Sequence, residues 1–185
     1  MPDIAEELPI WGISPLTSED LLGFLSSGRP EIDRWLSESA ASAQEQSFCR
    51  TYVWSDQPPY VFGFYSLVPH RVDSDEDVKV SGHAGGALSG YLLAKIGLHQ
   101  KAVGQVCRIP GDAGLTAPAE LLLVLDAHIQ ATRASYLAGG RYLFVDTSNE
   151  PPHFLDVFRR IGFRSISPSG NPLHVMKLRR PVPQG

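Results

Sequence analysis

Apolar positions along the 185-residue chain change their spacing several times, and each change marks a structural element. Ile10 to Ser14 is a short apolar stretch of strand type. Thr17-Ser18-Glu19-Asp20 then opens a brief apolar run, Leu21, Leu22, Phe24 and Leu25, which Ser26-Ser27-Gly28-Arg29 stops. From Pro30, the residues Ile32, Trp35, Leu36, Ala40 and Ala43 recur three and four apart, which predicts one helix over 30 to 46. Phe48 to Trp54 is aromatic and β-branched, and Tyr60 to Val68 alternates about Phe62, Phe64 and Ser66. The two runs flank the turn residues Ser55 to Pro59 and predict an antiparallel hairpin.

Residues 69 to 86, with Asp73, Asp75, Glu76, Asp77 and then Gly82, Gly85 and Gly86, are expected to form a loop. Tyr91 to His99 is apolar enough to be a central strand covered on both faces. Gln100 to Leu115 lacks periodicity and predicts a second loop. A long helix should follow, with Thr116 or Ala117 as its cap, Pro118 in its first turn and Leu121, Leu122, Leu125, Ile129, Thr132 and Tyr136 on its buried stripe. Arg141 to Asp146 reads as a strand. Ser148 or Asn149 is expected to cap the helix that buries Phe154, Val157, Phe158 and Ile161, and Phe163 to Ser167 pairs with Leu173 to Arg179 as a closing hairpin. Phe48, Trp54, Phe64, Phe154 and Phe158 are assigned to the core.

This order, without an internal repeat, predicts an α/β or α+β fold whose mixed, mostly antiparallel sheet has helices on both faces. Length suits one domain over 1–185, with a lead-in at 1–9 and a tail at 180–185. A 43% hydrophobic and 19% charged composition is globular, and 17 Gly with 15 Pro argues against a helical bundle. Cys49 and Cys107 stand far apart without metal-ligand or redox spacing, so neither a disulfide framework nor a metal site is expected. No run is long enough to span a membrane and the first residues lack a leader pattern, so a cytoplasmic protein is expected. The charge is uneven: residues 1–92 balance at -9 and residues 93–185 at +5, which favours the second half for an anionic ligand.

Several segments, in this order, match a known pattern: Ile13 to Phe24 with Glu31 to Leu36; Arg50 to Val53 with Val61 to Leu67; Leu93 to His99; Tyr142 to Asp146 followed by Asn149; and Phe158-Arg159-Arg160-Ile161-Gly162-Phe163. From about residue 10 to 179 the chain resembles the GNAT family of N-acetyltransferases, and within it the toxin-like subgroup of bacterial toxin-antitoxin systems. The resemblance implies transfer of an acetyl group from acetyl-CoA to a primary amine, with the α-amine of aminoacyl-tRNA as one acceptor. It also implies an antitoxin protein as a partner, with a homodimer as an open alternative.

Acyl transfer needs a seat for a long anionic carrier, a base for the amine and an acid for the thiolate. By the resemblance, the backbone of Ile96, Gly97 and Leu98 would receive the pantetheine arm, with Gly97 permitting close approach. Gly104, Gln105, Gly114, Leu115 and Thr116 would cradle the diphosphate at a helix start. Asn149 and Phe158 fall at carrier-contacting positions, His99 is the candidate base, and Ser148 or His153 could supply the acid.

The chain departs from the pattern twice. Val106 to Ala113 interrupts the compact glycine loop, and Phe158 stands where the family often has an acidic Tyr. These departures carry an alternative reading, a GNAT-fold protein that has lost its chemistry and serves as a binding or assembly module. Lys95, Lys101 and Arg108 could meet phosphate, and Arg159, Arg160, Arg164, Lys177, Arg179 and Arg180 could face tRNA. Ordinary solvated surface explains the same charges.

Overall fold

The computed structural model describes residues 8–73, 80, 86–111, 114–167 and 170–178. The acidic centre of the first expected loop with Gly82 and Gly85, the tail from residue 179, and Ala113 lie outside the described residues.

Seven strands form one sheet in the order β1-β2-β3-β4-β7-β9-β8. They are β1 (Ile13–Pro15), β2 (Arg50–Trp54), β3 (Gly63–Val72), β4 (Leu88–Leu98), β7 (Tyr142–Asp146), β8 (Arg164–Ser165) and β9 (Leu173–Lys177). Every neighbouring pair is antiparallel except β4 with β7, so the sheet is mixed and mostly antiparallel. Side-chain alternation divides the core between its two faces. On one face Leu36 of α1 (Pro30–Glu38) and Ala40 of α2 (Ala40–Glu45) pack with Val53 and Phe64 of the sheet. Trp54, Tyr65, Ile96, Leu98 and Leu143 pack on the opposite side with α3 (Ala119–Ala138) and α4 (Pro152–Ile161).

Where expectation and structure differ, a local cause is visible. The helix expected over 30 to 46 breaks at Ser39, whose φ of -124° is not helical, and the chain restarts as α2. Strand β3 runs on to Val72, taking the first four residues of the expected 69–86 loop, and β4 begins at Leu88, three residues before the expected Tyr91, because their ladder extends to the pair Val72↔Leu88. Phe48 lies outside β2 and is 66% exposed, not core.

The stretch 100–115 is not a plain loop. It contains β5 (Val106–Arg108), which pairs antiparallel with β6 (Thr116–Pro118). The amide of Arg108 donates to the Pro9 carbonyl at 2.9 Å and its carbonyl accepts the Trp11 amide at 2.9 Å, so the excursion also anchors the chain's beginning.

Helix α3 turns a different face inward from the one its large residues suggest. Leu122 is buried as expected, but the other buried positions include Leu123, Ala127, Ala131 and Ser135, whereas Leu125, Ile129 and Tyr136 are exposed. Small residues let the helix axis approach the sheet closely, and the pattern of bulky residues conceals that stripe.

Candidate acyl-carrier and acceptor site

The site begins where β4 and β7 part. They pair in parallel from Gly90↔Tyr142 to Leu93↔Val145 and no further. At that point the β3–β4 register slips: Leu67 faces Leu93 but Ser66 faces Lys95, leaving Ala94 as an extra residue. A bulge bends its strand and increases the local twist, so the end of β4 swings away from β7.

Beyond the bulge β4 pairs only with β3. His99 donates its amide to the Phe62 carbonyl at 2.7 Å. Antiparallel alternation therefore turns the N–H and C=O groups of Ile96 and Leu98 outward, away from β3. That outward edge lies where the pantetheine arm was expected, with the Ile96 carbonyl already accepting from Arg29. Gly97 is needed for a different reason from the expected one: a Cβ there would lie 2.6 Å from the Phe64 ring and 3.1 Å from Ile32. The chain's own core makes the close approach, so the missing side chain leaves no room for a carrier.

A cavity of about 620 Å³ occupies the gap, lined by Arg29, Glu31, Ile32, Ala94, Lys95, Asp146, Asn149 and Glu150. Arg29 and Glu150 span it. The guanidinium donates through Nη1 to Glu150 Oε2 at 3.0 Å and to the Asn149 carbonyl at 3.1 Å, and through Nη2 to the Ile96 carbonyl. Both side chains are shielded, at 14% and 13% exposure. Burial pushes the Glu150 carboxyl above the usual range, Arg29 pulls it back, Asp146 raises it and Lys95 lowers it.

Local backbone chemistry aims both residues. Asp33, in the first turn of α1, accepts the Ser27 amide at 3.1 Å, and Ser27 Oγ in turn accepts the Arg29 amide at 3.2 Å. After β7, Asp146 accepts the Ser148 amide at 2.9 Å and its hydroxyl at 2.5 Å. Those bonds hold the Asp146 carboxyl below its usual range. The chain then reaches Pro151, which takes the N-cap position of α4 without a side-chain cap, so neither Ser148 nor Asn149 caps that helix.

The expected proton donors and acceptors fare differently. Ser148 donates its hydroxyl hydrogen bond to Asp146, so that proton is directed at a carboxylate and not into the cavity. Lys101 donates its amide to His99 Nδ1 at 3.2 Å. Neutral His99 therefore carries its proton on Nε2 and offers no free lone pair. Its ring stacks on Phe24 at 5.5 Å and does not line the cavity. Burial, then Lys101, lower its pKa, while Asp33 opposes them. His153 is also lowered by burial; Glu120 opposes that shift and Arg29 adds to it. Phe158 is 2% exposed and wedged between Phe154 and Phe163, so it lies in the core and not on a carrier surface.

The diphosphate end differs most from expectation. Thr116 belongs to β6 and Pro118 occupies the α3 N-cap, so neither Thr116 nor Ala117 caps the helix, and Pro118 stands before its first turn. Gly114 and Leu115 sit in the β5–β6 connection, where the Leu115 carbonyl accepts the Ile109 amide at 3.0 Å. The Gly104 amide donates to the Glu120 carboxylate at 3.1 Å, and the Gln105 carbonyl accepts the Ala119 amide at 2.9 Å. Two donors that would face a diphosphate are thus already used, one of them by an anion.

Arg29, Glu150 and Glu120 escaped the sequence reading. Arg29 and Glu150 lie far apart in the chain, and no local spacing joins them. Arg29 before a helix-opening Pro, and a Glu between a strand and two prolines, were the only local signals. Among the described residues no three His, Cys, Asp or Glu side chains gather as a metal site, and no helix is long and apolar enough to cross a membrane.

No family model and no curated protein matches the chain. Solved structures do. A variant of KacT superposes with a TM-score of 0.72 at 16% identity, covering 91% of this chain and 95% of that one. AtaT complexed with acetyl-methionyl-tRNAfMet gives 0.70 at 17% identity, covering 90% and 94%. A mutant AtaT toxin bound to the C-terminus of the antitoxin AtaR gives 0.66 at 19% identity, covering 91% and 93%. The chain therefore shares the GNAT fold of these toxins, and the sequence resemblance holds at that level.

Proposed function

We propose that the protein is an acetyl-CoA-dependent N-acetyltransferase acting on a primary amine. The observation that carries the reading is the bulged, unzipped end of β4, where Ala94 and Lys95 line a polar cavity and, just beyond them, the backbone of Ile96 and Leu98 turns away from β3 with no strand beside it. Such an edge offers amide hydrogen bonds to a pantetheine arm as an added strand would. A solved relative of the same fold, AtaTR, is bound with AcCoA.

The α-amine of an aminoacyl-tRNA is the preferred acceptor, by analogy with the AtaT complex that holds acetyl-methionyl-tRNA. Arg159, Arg160, Arg164 and Lys177 are exposed and would lie against phosphate. An antitoxin partner and a cytoplasmic setting belong to the same reading. Incubating the protein with labelled acetyl-CoA, a panel of small amines and purified charged tRNAs tests it: thiol release coupled to acceptor labelling is the expected result, and no release with any acceptor rejects the enzyme.

A second reading, an assembly or binding module of the same fold, is favoured by the Glu120 carboxylate on the Gly104 amide and by the sealed Phe158. Under it, acetyl-CoA does not bind at millimolar concentration.

A further inference from the structure

Transfer to an amine needs a group that removes a proton from nitrogen, and the cavity holds one that the sequence did not single out. Glu150 uses Oε2 to hold Arg29. Its Oε1 has no hydrogen-bond partner among the described residues, yet no buried side-chain oxygen or nitrogen among them is left unpaired. The little exposure that Glu150 retains, 13%, therefore includes Oε1, which opens to the cavity. The same guanidinium that grips Oε2 also reaches the Ile96 carbonyl, so the carboxylate stands within one guanidinium's span of the strand edge assigned to the acyl carrier.

We propose that Glu150 is the general base for the acceptor amine and that Arg29 is its positioning residue. This assignment rests on the acetyltransferase reading above. The acceptor enters as a cationic primary amine, which the carboxylate attracts. Glu150 takes one proton from the ammonium and passes it to solvent. The freed lone pair attacks the thioester carbonyl, the C–N bond forms and the C–S bond breaks. The second nitrogen proton ends on the departing thiolate by way of water, because Phe158 has none to give. An ammonium and a thioester thus yield an amide, a thiol and one released proton.

The environment suits the role. Burial and Asp146 raise the affinity of Glu150 for a proton, while Arg29 from the α1 entry and Lys95 from β4 restrain it, and Glu31 lines the same cavity. A base poised between these influences is more effective than an exposed carboxylate. His99 is a poorer candidate, because its Nδ1 lone pair already holds the Lys101 amide.

The test combines kinetics with a direct titration. Glu150→Gln keeps the acceptor oxygen for Arg29 and should lower kcat/KM by about 100-fold or more, with acetyl-CoA affinity unchanged and the acidic limb of the pH profile lost. Arg29→Gln should raise the Glu150 carboxyl titration seen by carbon NMR and move the acidic limb to higher pH, and Arg29→Lys should restore part of that shift. If the wild-type protein acetylates an amine and Glu150→Gln retains its rate and pH profile, the Glu150 assignment fails alone. If the wild type neither binds acetyl-CoA nor releases thiol, the acetyltransferase reading fails and takes this assignment with it. Should Glu150→Gln fail to fold, the wild-type titration decides: a carboxyl in the ordinary exposed range, indifferent to Arg29→Gln, overturns the proposal.

Discussion

The two ends of the proposed carrier groove are built on opposite principles. At the β4 end, pairing with β7 stops beside a one-residue bulge in the β3–β4 ladder, Ala94 and Lys95 line a cavity, and the outer backbone edge of Ile96 and Leu98 has no strand beside it. At the α3 end, backbone donors are satisfied from within: Glu120 takes the Gly104 amide, Gln105 takes the Ala119 amide, and β5 pairs with β6. The first end leaves a strand edge whose Ile96 carbonyl is taken by the Arg29 guanidinium alone, and the other has supplied all of these partners from its own backbone and Glu120. The fold thus leaves a strand edge open at one end while filling the helix start at the other with its own contacts.

The largest expected effect comes from the crowded glycine. Gly97→Ala places a methyl group against Phe64 and Ile32 and should destabilise the fold by about 1–3 kcal/mol. Gly104→Ala meets no atom and pays only for a φ of +76°, so roughly 1 kcal/mol is expected. Urea midpoints of the two variants measure the contrast directly, and equal losses would erase it.

A smaller effect should follow from Glu120→Gln. Removing an anion from beside the Gly104 amide should tighten acetyl-CoA several-fold, because a helix start without a nearby carboxylate favours phosphate. Calorimetry of the variant checks this, and weaker binding would mean that the carboxylate orders the loop for the carrier.

The smallest effect concerns pH. Burial lowers the pKa of His70, His99, His128 and His153 from the ordinary 6.5. A folded imidazole that binds protons less readily than the unfolded one gives stability that is complete above pH 6.5 and declines as pH falls through the folded values. Asp126 and Glu150, raised by burial, act in the opposite sense at lower pH and soften the decline. Thermal midpoints should therefore fall modestly from pH 7 to about 5. A flat or rising profile over that interval would contradict the assignment.

Apart from β5, β6 and the break at Ser39, the element order and both hairpins were legible because alternation and turn residues are local signals. The face of α3 was not, because its buried stripe is made of Ala127, Ala131 and Ser135 while bulkier Leu125 and Ile129 face outward. Helix caps were misread for a different reason: the Ser148 hydroxyl donates to Asp146 and accepts no helix N–H, and proline fills the N-cap of both α3 and α4. The unzipped strand was anticipated at Ile96 to Leu98. The cavity's charges were not, since Arg29 and Glu150 meet only through the fold.

The most direct test follows backbone amide signals during titration with acetyl-CoA. The amides of Ile96 and Leu98 should shift and gain protection from exchange at micromolar carrier, while that of Gly97, turned toward β3, changes little. Unchanged Ile96 and Leu98 amides at millimolar acetyl-CoA would contradict the carrier seat on which the proposed activity depends.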